Sequence, residues 1–266
     1  MNRHSEFVQV TTTAGPVTIE TYVDGDPGTL DVVVLPSYGR DGGEDFDAFA
    51  AALAGADFRV LRPQPRGVAG STGPMSGVSI EDLADDVAHV IERFGGGRPA
   101  VVLGHAFGNF VARTVATNRP ELVRAVILAA ASTQAPPPEI SNAPFRAGDL
   151  TLPEGERLAA LRLAFFAPGH DASIWLSGWY PQALAMQHAA VLNANPNRYW
   201  GAGDAPILEI LAALDPFHPE DQWDDLRKQL GDRVTSVVVK GASHALFPEQ
   251  PVDVADEVIG YLRTLV

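Results

Sequence analysis

The chain has 266 residues, 46% of them hydrophobic and 20% charged, and its formal net charge at pH 7 is −14. This composition is that of a globular protein with one large domain or two modest ones. The lack of cysteine excludes disulfides, thiolate metal sites and cysteine nucleophiles. The negative charge argues against nucleic acid or an anionic membrane as a partner, since both select clustered Lys and Arg.

The start of the chain predicts a β-hairpin followed by a buried strand. The first ten residues, MNRHSEFVQV, lack the apolar core of a signal peptide, and no run approaches the length of a transmembrane helix, so we expect a cytoplasmic protein. Residues 6–24 alternate as two short strands around Ala14-Gly15-Pro16, which is a hairpin pattern. DVVVLPSYGR (31–40) then indicates a buried strand ended by proline and glycine.

Helices and strands alternate along the rest of the chain, apart from one long interruption. The best-marked helix is 79–97, where Ser79 and Asp82 match a capping box and three glycines end the apolar stripe. The other predicted elements are a helix at 45–56, strands at 58–67, 99–106 and 123–131, a helix at 107–118, a strand at 206–214, a helix near 219–230, a strand at 234–241 and a helix near 251–265. This alternation predicts a mostly parallel sheet covered on both faces, which the hairpin begins.

Residues 134–203 interrupt the alternation and show no strand pattern after the Pro-rich turn APPPE. An insertion of this length predicts a lid over the carboxyl ends of the strands, where such folds bind ligands. We therefore expect a core of residues 1–133 and 204–266 and a helical cap of residues 134–203. For each aromatic residue of the cap, packing onto the core is the simpler interpretation, but some of the group must line the pocket. The candidate substrate contacts are Phe165, Trp175, Trp179 and Tyr180.

The stretch GHAFG (104–108) has the spacing of a nucleophile elbow, with alanine in the place of serine. Two glycines four residues apart are common, but here a strand precedes them and an amphipathic helix follows. The tight turn needs small residues, and the N–H of Phe107 would supply half of an oxyanion hole. Ala106 leaves that geometry intact and removes only the hydroxyl. His105 is a further candidate substrate contact, although local packing or hydrogen bonding is the simpler interpretation.

Two downstream residues complete the chain order nucleophile, acid, histidine. Asp215 follows a strand in LDPFHPED, and His244 follows the next strand in GASHALFPEQP. His244 would take and return a proton, and Asp215 would orient its ring. Alternatively, Asp215 begins a turn, Asp204 is the acid, or His244 caps the last helix. No cluster of His and carboxylates has metal-ligand spacing, so we predict neither a metal nor a cofactor. The histidines without comparable context are His89, His188 and His218.

With these motifs the chain resembles an α/β-hydrolase fold protein with a cap domain over essentially its whole length. The motifs are RPQPRGVAGST (62–72), GHAFGN (104–109), LDPFHPED (214–221) and GASHALFPEQP (241–251). The resemblance implies an α/β fold with a mostly parallel eight-stranded sheet flanked by helices, and an inserted helical cap. It also implies that Asp215 is the acid, His244 the base and Ala106 the nucleophile position.

Three features depart from the family pattern. Ala106 replaces the usual serine (Asp or Cys in some branches), and Gln64 stands where aspartate is usual, in what we interpret as a structural role. LPSYGR replaces the His-Gly turn that gives the second oxyanion N–H, which puts Ser37 and Tyr38 there. Ser37 would be a displaced nucleophile, a hydrogen-bond donor or, most simply, a turn residue. Similar elbows occur in hydrolase-like proteins whose first turn reads Pro-Ser-x-Gly-Arg.

Two classes of function follow from these features. The first is a hydrolase of a small hydrophobic acyl substrate, such as an ester or lactone, whose triad is inactivated in this sequence because Ala106 replaces the nucleophile. Within this class, the alternative is a native alanine, with the His244–Asp215 pair as general base on water or on a carbon acid. The second class is a ligand-binding protein without catalysis, although a pure receptor has no need of an oriented base. We expect a monomer or homodimer with no nucleic-acid or membrane partner.

Overall fold

The computed structural model describes residues 3–28 and 30–266, so that Met1, Asn2 and Thr29 of the expected core lie outside the described residues. The strands are β1 (His4–Thr12), β2 (Gly15–Asp24), β3 (Asp31–Leu35), β4 (Arg59–Pro63), β5 (Ala100–His105), β6 (Val123–Ala129), β7 (Ile207–Ala212) and β8 (Val234–Val239). They form one eight-stranded sheet in the order β1-β2-β4-β3-β5-β6-β7-β8. β2 pairs antiparallel with β1 and β4, and every other pairing is parallel. The predicted fold class is confirmed.

Helices cover the sheet and fill the segment between β6 and β7. The α-helices are α1 (Asp47–Gly55), α2 (Ile80–Gly95), α3 (Gly108–Asn118), α4 (Pro138–Ser141), α5 (Ala143–Gly148), α6 (Glu154–Ala164), α7 (Pro181–Leu192), α8 (Asp225–Leu230), α9 (Leu246–Glu249) and α10 (Pro251–Leu262). The 3₁₀ turns are Glu44–Phe46, Pro120–Leu122, Ala172–Leu176, Pro196–Arg198, Glu220–Gln222 and Gly231–Arg233. The capping box of α2 forms as predicted, whereas the helix predicted near 219–230 is split into a 3₁₀ turn and α8. Within residues 3–28 and 30–266, no helix combines the length and apolar character that crossing a membrane requires.

The central strands are buried on both faces, as the near-continuous apolar runs predict. Val32 and Val34 of β3 pack into an apolar cluster with α1 and α10, while Val33 between them packs into the opposite cluster with α2 and α3. Successive side chains of a strand point to opposite faces, so a strand covered on both sides must be apolar at every position. This two-sided core fixes the carboxyl ends of β3, β5, β7 and β8 along one edge of the sheet.

Residues 134–203, which we call the cap, contain α4 to α7 and no strand, and every residue of the cap is described. Their first part forms its own apolar cluster, which also includes Phe217 and Ala245 from the loops after β7 and β8. Their second part, with Met186 and Tyr199, joins the core cluster on the α2 and α3 face. The cap therefore packs on the core at two places, and one of them adjoins the loops that carry Asp215 and His244. The division of the chain into a core and a cap domain stays a prediction.

Candidate active site

The elbow between β5 and α3 is a tight turn that two glycines make possible. Ala106 has a φ of 48°, in the left-handed region that costs an L-residue about 1–2 kcal/mol. A Cβ on Gly104 would lie 2.3 Å from the carbonyl oxygen of Gly108, and a Cβ on Gly108 would lie 2.4 Å from that of Leu35. Glycine is required at both positions, and the turn has the strained geometry that presents a nucleophile in an elbow.

Hydrogen bonds to the neighbouring strand hold Ala106 in this conformation. Its N–H donates to the carbonyl oxygen of Ala129 at the end of β6, at 3.0 Å. The Nδ2 of Asn109 donates to the carbonyl oxygens of Ala106, at 2.8 Å, and of Ala129, at 3.2 Å. None of these bonds uses the side chain of residue 106, so the elbow forms with alanine there.

Asp215 and His244 come together at the ends of β7 and β8. The Nδ1 of His244 lies 2.9 Å from the Oδ2 of Asp215, and both side chains are buried. The other carboxylate oxygen accepts the N–H of Phe217 at 2.9 Å, and the Phe217 ring lies 4.1 Å from the His244 ring. Because a carboxylate only accepts, the proton of a neutral His244 belongs on Nδ1, which leaves the Nε2 lone pair free to act as a base. The rival acid, Asp204, is exposed in the turn before β7.

His105 places the loop that carries His244 (residues 241–250, the histidine loop) beside the elbow. Its Nε2 lies 2.8 Å from the carbonyl oxygen of His244, which indicates a hydrogen bond, and the two rings are 5.6 Å apart. Burial, followed by the charge of His244, lowers the pKa of His105 to about 3, so it is neutral at physiological pH. Phe46 and Phe247 pack against the ring. These contacts fit the simpler interpretation of local packing and hydrogen bonding, and the role of His105 as a substrate contact stays a prediction.

The Ser37-Tyr38-Gly39 turn after β3 adjoins the elbow. The rings of Tyr38 and Phe107 are 4.7 Å apart. Among the described residues, neither the backbone N–H of Tyr38, nor that of Phe107, nor the Ser37 hydroxyl donates a hydrogen bond. Free N–H groups at a turn and at a helix start can stabilise a developing oxyanion. The Gly39 N–H, in contrast, is used, because it donates to the Oε1 of Gln187 on α7 at 2.7 Å.

The aromatic residues of the cap differ in their access to this site. Phe165 packs edge-on to His244, with their rings 5.5 Å apart. Trp175 is 1% exposed, and its Nε1 donates to Asp45 at 2.9 Å. Its neighbour Trp179 is also buried and donates from Nε1 to the Trp175 carbonyl at 2.5 Å. Tyr180 is half-buried at the cap edge. Phe165, Trp175 and Trp179 are thus buried in one cluster, in which Phe165 also adjoins the base, and their role as substrate contacts stays a prediction.

Sequence reasoning missed the polar contacts that join the cap to the core. The Arg40 guanidinium pairs with Asp45 at 2.8 Å, donates to the carbonyl of Ser177 at 2.7 Å and lies 4.4 Å from the Trp175 ring. Gln64 accepts the N–H of Gly42 at 2.9 Å and takes the structural role that we expected. No periodicity marks such contacts, since they join a single side chain to a distant backbone.

No group of His and carboxylates within residues 3–28 and 30–266 is arranged to hold a metal.

Known proteins resemble the chain in sequence and in fold. Residues 32–257 match the model of the alpha/beta hydrolase family. RutD of Rhizobium rhizogenes (strain K84), named as a candidate carbamate hydrolase, is 27% identical over 197 residues, which are 73% of this chain and 70% of the relative. A thermophilic esterase from Thermogutta terrifontis superposes with a TM-score of 0.81 at 20% identity, over 98% of this chain and 99% of the esterase. The esterase RhEst1 from Rhodococcus sp. ECU1013 gives 0.79 at 22% identity, again over 98% and 99%. At these identities, the two structures show the fold alone.

Proposed function

Since the chain belongs to the alpha/beta hydrolase family, we propose that it is a hydrolase of a small hydrophobic acyl compound, an ester, a lactone or a related carbonyl substrate. The observation that carries the proposal is the buried 2.9 Å contact between His244 and Asp215. The carbonyl oxygen of His244 also accepts a hydrogen bond from His105, next to the elbow. A receptor would gain nothing from keeping an oriented base there. The relatives, one named as a candidate carbamate hydrolase and two as esterases, are consistent with acyl chemistry.

In the proposed reaction His244 takes the part of general base and water that of nucleophile, because Ala106 has no hydroxyl. The Nε2 of His244 removes a proton from water as its oxygen bonds to the carbonyl carbon. Asp215 stabilises the imidazolium. The negative oxygen of the intermediate accepts from the N–H of Phe107 and from the Ser37–Gly39 turn. The intermediate then collapses, the bond to the leaving alcohol breaks, and His244 returns its proton to that alcohol.

Hydrophobic surroundings of the base support an apolar substrate. The ring of His244 is flanked by Phe165 and Phe217, and the oxyanion turn presents Tyr38 beside Phe107. Burial raises the pKa of Tyr38, so its phenol stays neutral. Apolar walls strengthen the electrostatic interactions within the site. We expect acyl compounds with apolar chains to be preferred over charged ones, in a cytoplasmic monomer or homodimer.

The test of this mechanism is the Ala106→Ser variant. A serine would place a hydroxyl within the elbow, so we expect the variant to gain hydrolysis of small activated esters and a covalent acyl-enzyme visible by intact-protein mass spectrometry. The matched control is Ala106→Gly, which keeps the elbow and adds no hydroxyl, and which should give no adduct. The double variant Ala106→Ser/His244→Ala should lose the gain.

The wild-type protein separates the remaining interpretations. Turnover of an acyl substrate at ordinary enzyme rates, with no adduct, would support the water mechanism and contradict an inactivated serine hydrolase. An inactive wild type together with an active Ala106→Ser variant would indicate the inactivated hydrolase. If neither protein turns over any ester or lactone while an acyl ligand still binds tightly, the protein is a binder on a hydrolase fold and the proposal is wrong.

A further inference from the structure

Glu249, the last residue of α9, is a buried carboxylate outside the elbow and the acid–base pair. It is 7% exposed, and each of its two oxygens accepts a backbone N–H. Oε2 accepts from Ser243 at 2.6 Å, and Oε1 accepts from Ala167 at 2.6 Å. Bonds from an N–H to a charged oxygen are among the stronger hydrogen bonds in proteins. Both donors are main-chain groups, so Glu249 fixes backbone positions.

The two donors belong to different parts of the molecule. Ser243 directly precedes His244, whereas Ala167 lies in the cap just after α6. On the other side of the histidine, the N–H of Ala245 donates to the carbonyl oxygen of Phe165 at 2.8 Å. The residues before and after His244 are thus both bound to cap residues 165–167, one through Glu249 and one directly.

We infer that Glu249 is a positioning residue that joins cap residues 165–167 and the histidine loop into one unit, so that His244 is correctly placed only while the cap is seated. This inference rests on the proposed function of His244 as the base. The Phe165 ring reinforces the connection, since it lies against the ring of His244. A substrate that displaces the cap would also displace the base, and a substrate that lets the cap close would keep the base in place.

The test is Glu249→Gln, which keeps the size of the side chain but leaves one oxygen able to accept. One of the two N–H groups then loses its partner. We expect backbone amides in residues 163–168 and 242–246 to exchange with deuterium about tenfold faster, both segments together, while amides in β5 and α3 keep their protection. The matched control is Glu257→Gln on α10, an exposed carboxylate that should change neither segment. Glu249→Asp, with two acceptors on a shorter arm, should lie between Glu249→Gln and the wild type.

The second readout is turnover, measured in whichever of the wild type or Ala106→Ser hydrolyses ester. Misplacing a base by about an ångström can cost on the order of a hundredfold, so Glu249→Gln should lower kcat by 10- to 100-fold with little change in KM. If only one segment or neither loses protection in the folded variant, the coupling is wrong, whatever the turnover. If both segments lose protection and kcat is unchanged, Glu249 does not position the base and the inference fails. If both lose protection but no parent protein hydrolyses ester, the coupling stands and the proposed function is what fails.

Discussion

The elbow and the histidine loop (residues 241–250) are two halves of one site, and the chain builds them in different ways. The elbow is compact in sequence, since Gly104, Ala106 and Gly108 lie within one turn, and close contacts and hydrogen bonds with the main chain of β3 and β6 support its shape. The histidine loop is assembled at long range. His244 is held by an acid 29 residues away, and Glu249 reaches a cap residue 82 positions away.

This difference explains why the two halves respond differently to substitution. The elbow loses only its reactive atom when serine is absent, because no hydrogen bond that holds the turn uses the side chain of residue 106. The histidine loop keeps its geometry only while each distant partner stays in place. A site of this kind can therefore lose a nucleophile without structural change, whereas loss of the base or of its partners changes both the chemistry and the local structure.

The largest expected effect on turnover comes from a substitution in the histidine loop. Removing a positioned general base costs about 10²- to 10⁴-fold, so His244→Ala should lower turnover by that factor, in the wild type or in Ala106→Ser. Steady-state hydrolysis of an activated ester measures the effect, and circular dichroism verifies the fold. His4→Ala on β1, an exposed histidine far along the sheet order, is the control and should leave the rate unchanged. An undiminished rate in His244→Ala would remove the base from the mechanism.

The second effect concerns His105, which joins the two halves. Its pKa is about 3 when folded and about 6.5 when unfolded, so the unfolded chain binds this proton first. The contribution of His105 to stability is nearly complete at pH 7 and is lost as the pH falls towards 3, by about 2.5 kcal/mol between pH 7 and 4.5. Urea unfolding at several pH values measures this loss of stability. The His105→Gln variant should lose less stability than the wild type as the pH falls, because glutamine does not titrate. Parallel pH profiles for the two proteins would contradict the assignment.

The third effect tests how rigid the elbow is. A Cβ at residue 104 would overlap the Gly108 carbonyl, so Gly104→Ala should lower the free energy of unfolding by about 3 kcal/mol or prevent folding. Gly155→Ala on α6 meets no atom within 4 Å and should not destabilise, since alanine favours a helix. Thermal and urea unfolding of the two variants measure the contrast. Equal stabilities would mean that the turn adapts.

The smallest effect concerns the strain at Ala106. Glycine adopts a positive φ without the Cβ penalty, but it also increases the entropy of the unfolded chain. Ala106→Gly should therefore be neutral or stabilising by less than about 1 kcal/mol, whereas Ala106→Val should be clearly destabilised. Calorimetric unfolding distinguishes these cases. A marked loss of stability in Ala106→Gly would show that the alanine methyl group contributes packing that outweighs the strain.

The fold and the elbow could be predicted from the sequence, because short patterns of neighbouring residues indicate both. Apolar strands, the Ser79–Asp82 box and the glycine spacing at 104–108 are visible without coordinates. Asp215 and His244 stood out since each follows a predicted strand, and parallel strands end at one edge of the sheet. Which aromatic residue of the cap lies against the base did not follow from composition, since Phe165 and Trp175 pack in one cluster and Phe165 contacts the ring of His244. The hydrogen bonds of Glu249 and Gln187 could not be predicted, because they produce no periodic pattern in the sequence.

The strand order has a consequence for the timing of assembly. His105 and His244 touch across 139 positions of the chain, and β7 and β8 form the far edge of the sheet. During synthesis at roughly 5–20 residues per second, the elbow emerges several seconds before the base. Until then the end of β5 and the first half of the cap lack the loops that cover them, and Phe165 lacks its contacts with Phe217 and His244. This interval is where we expect a nascent chain to depend most on chaperones and to be most prone to aggregation.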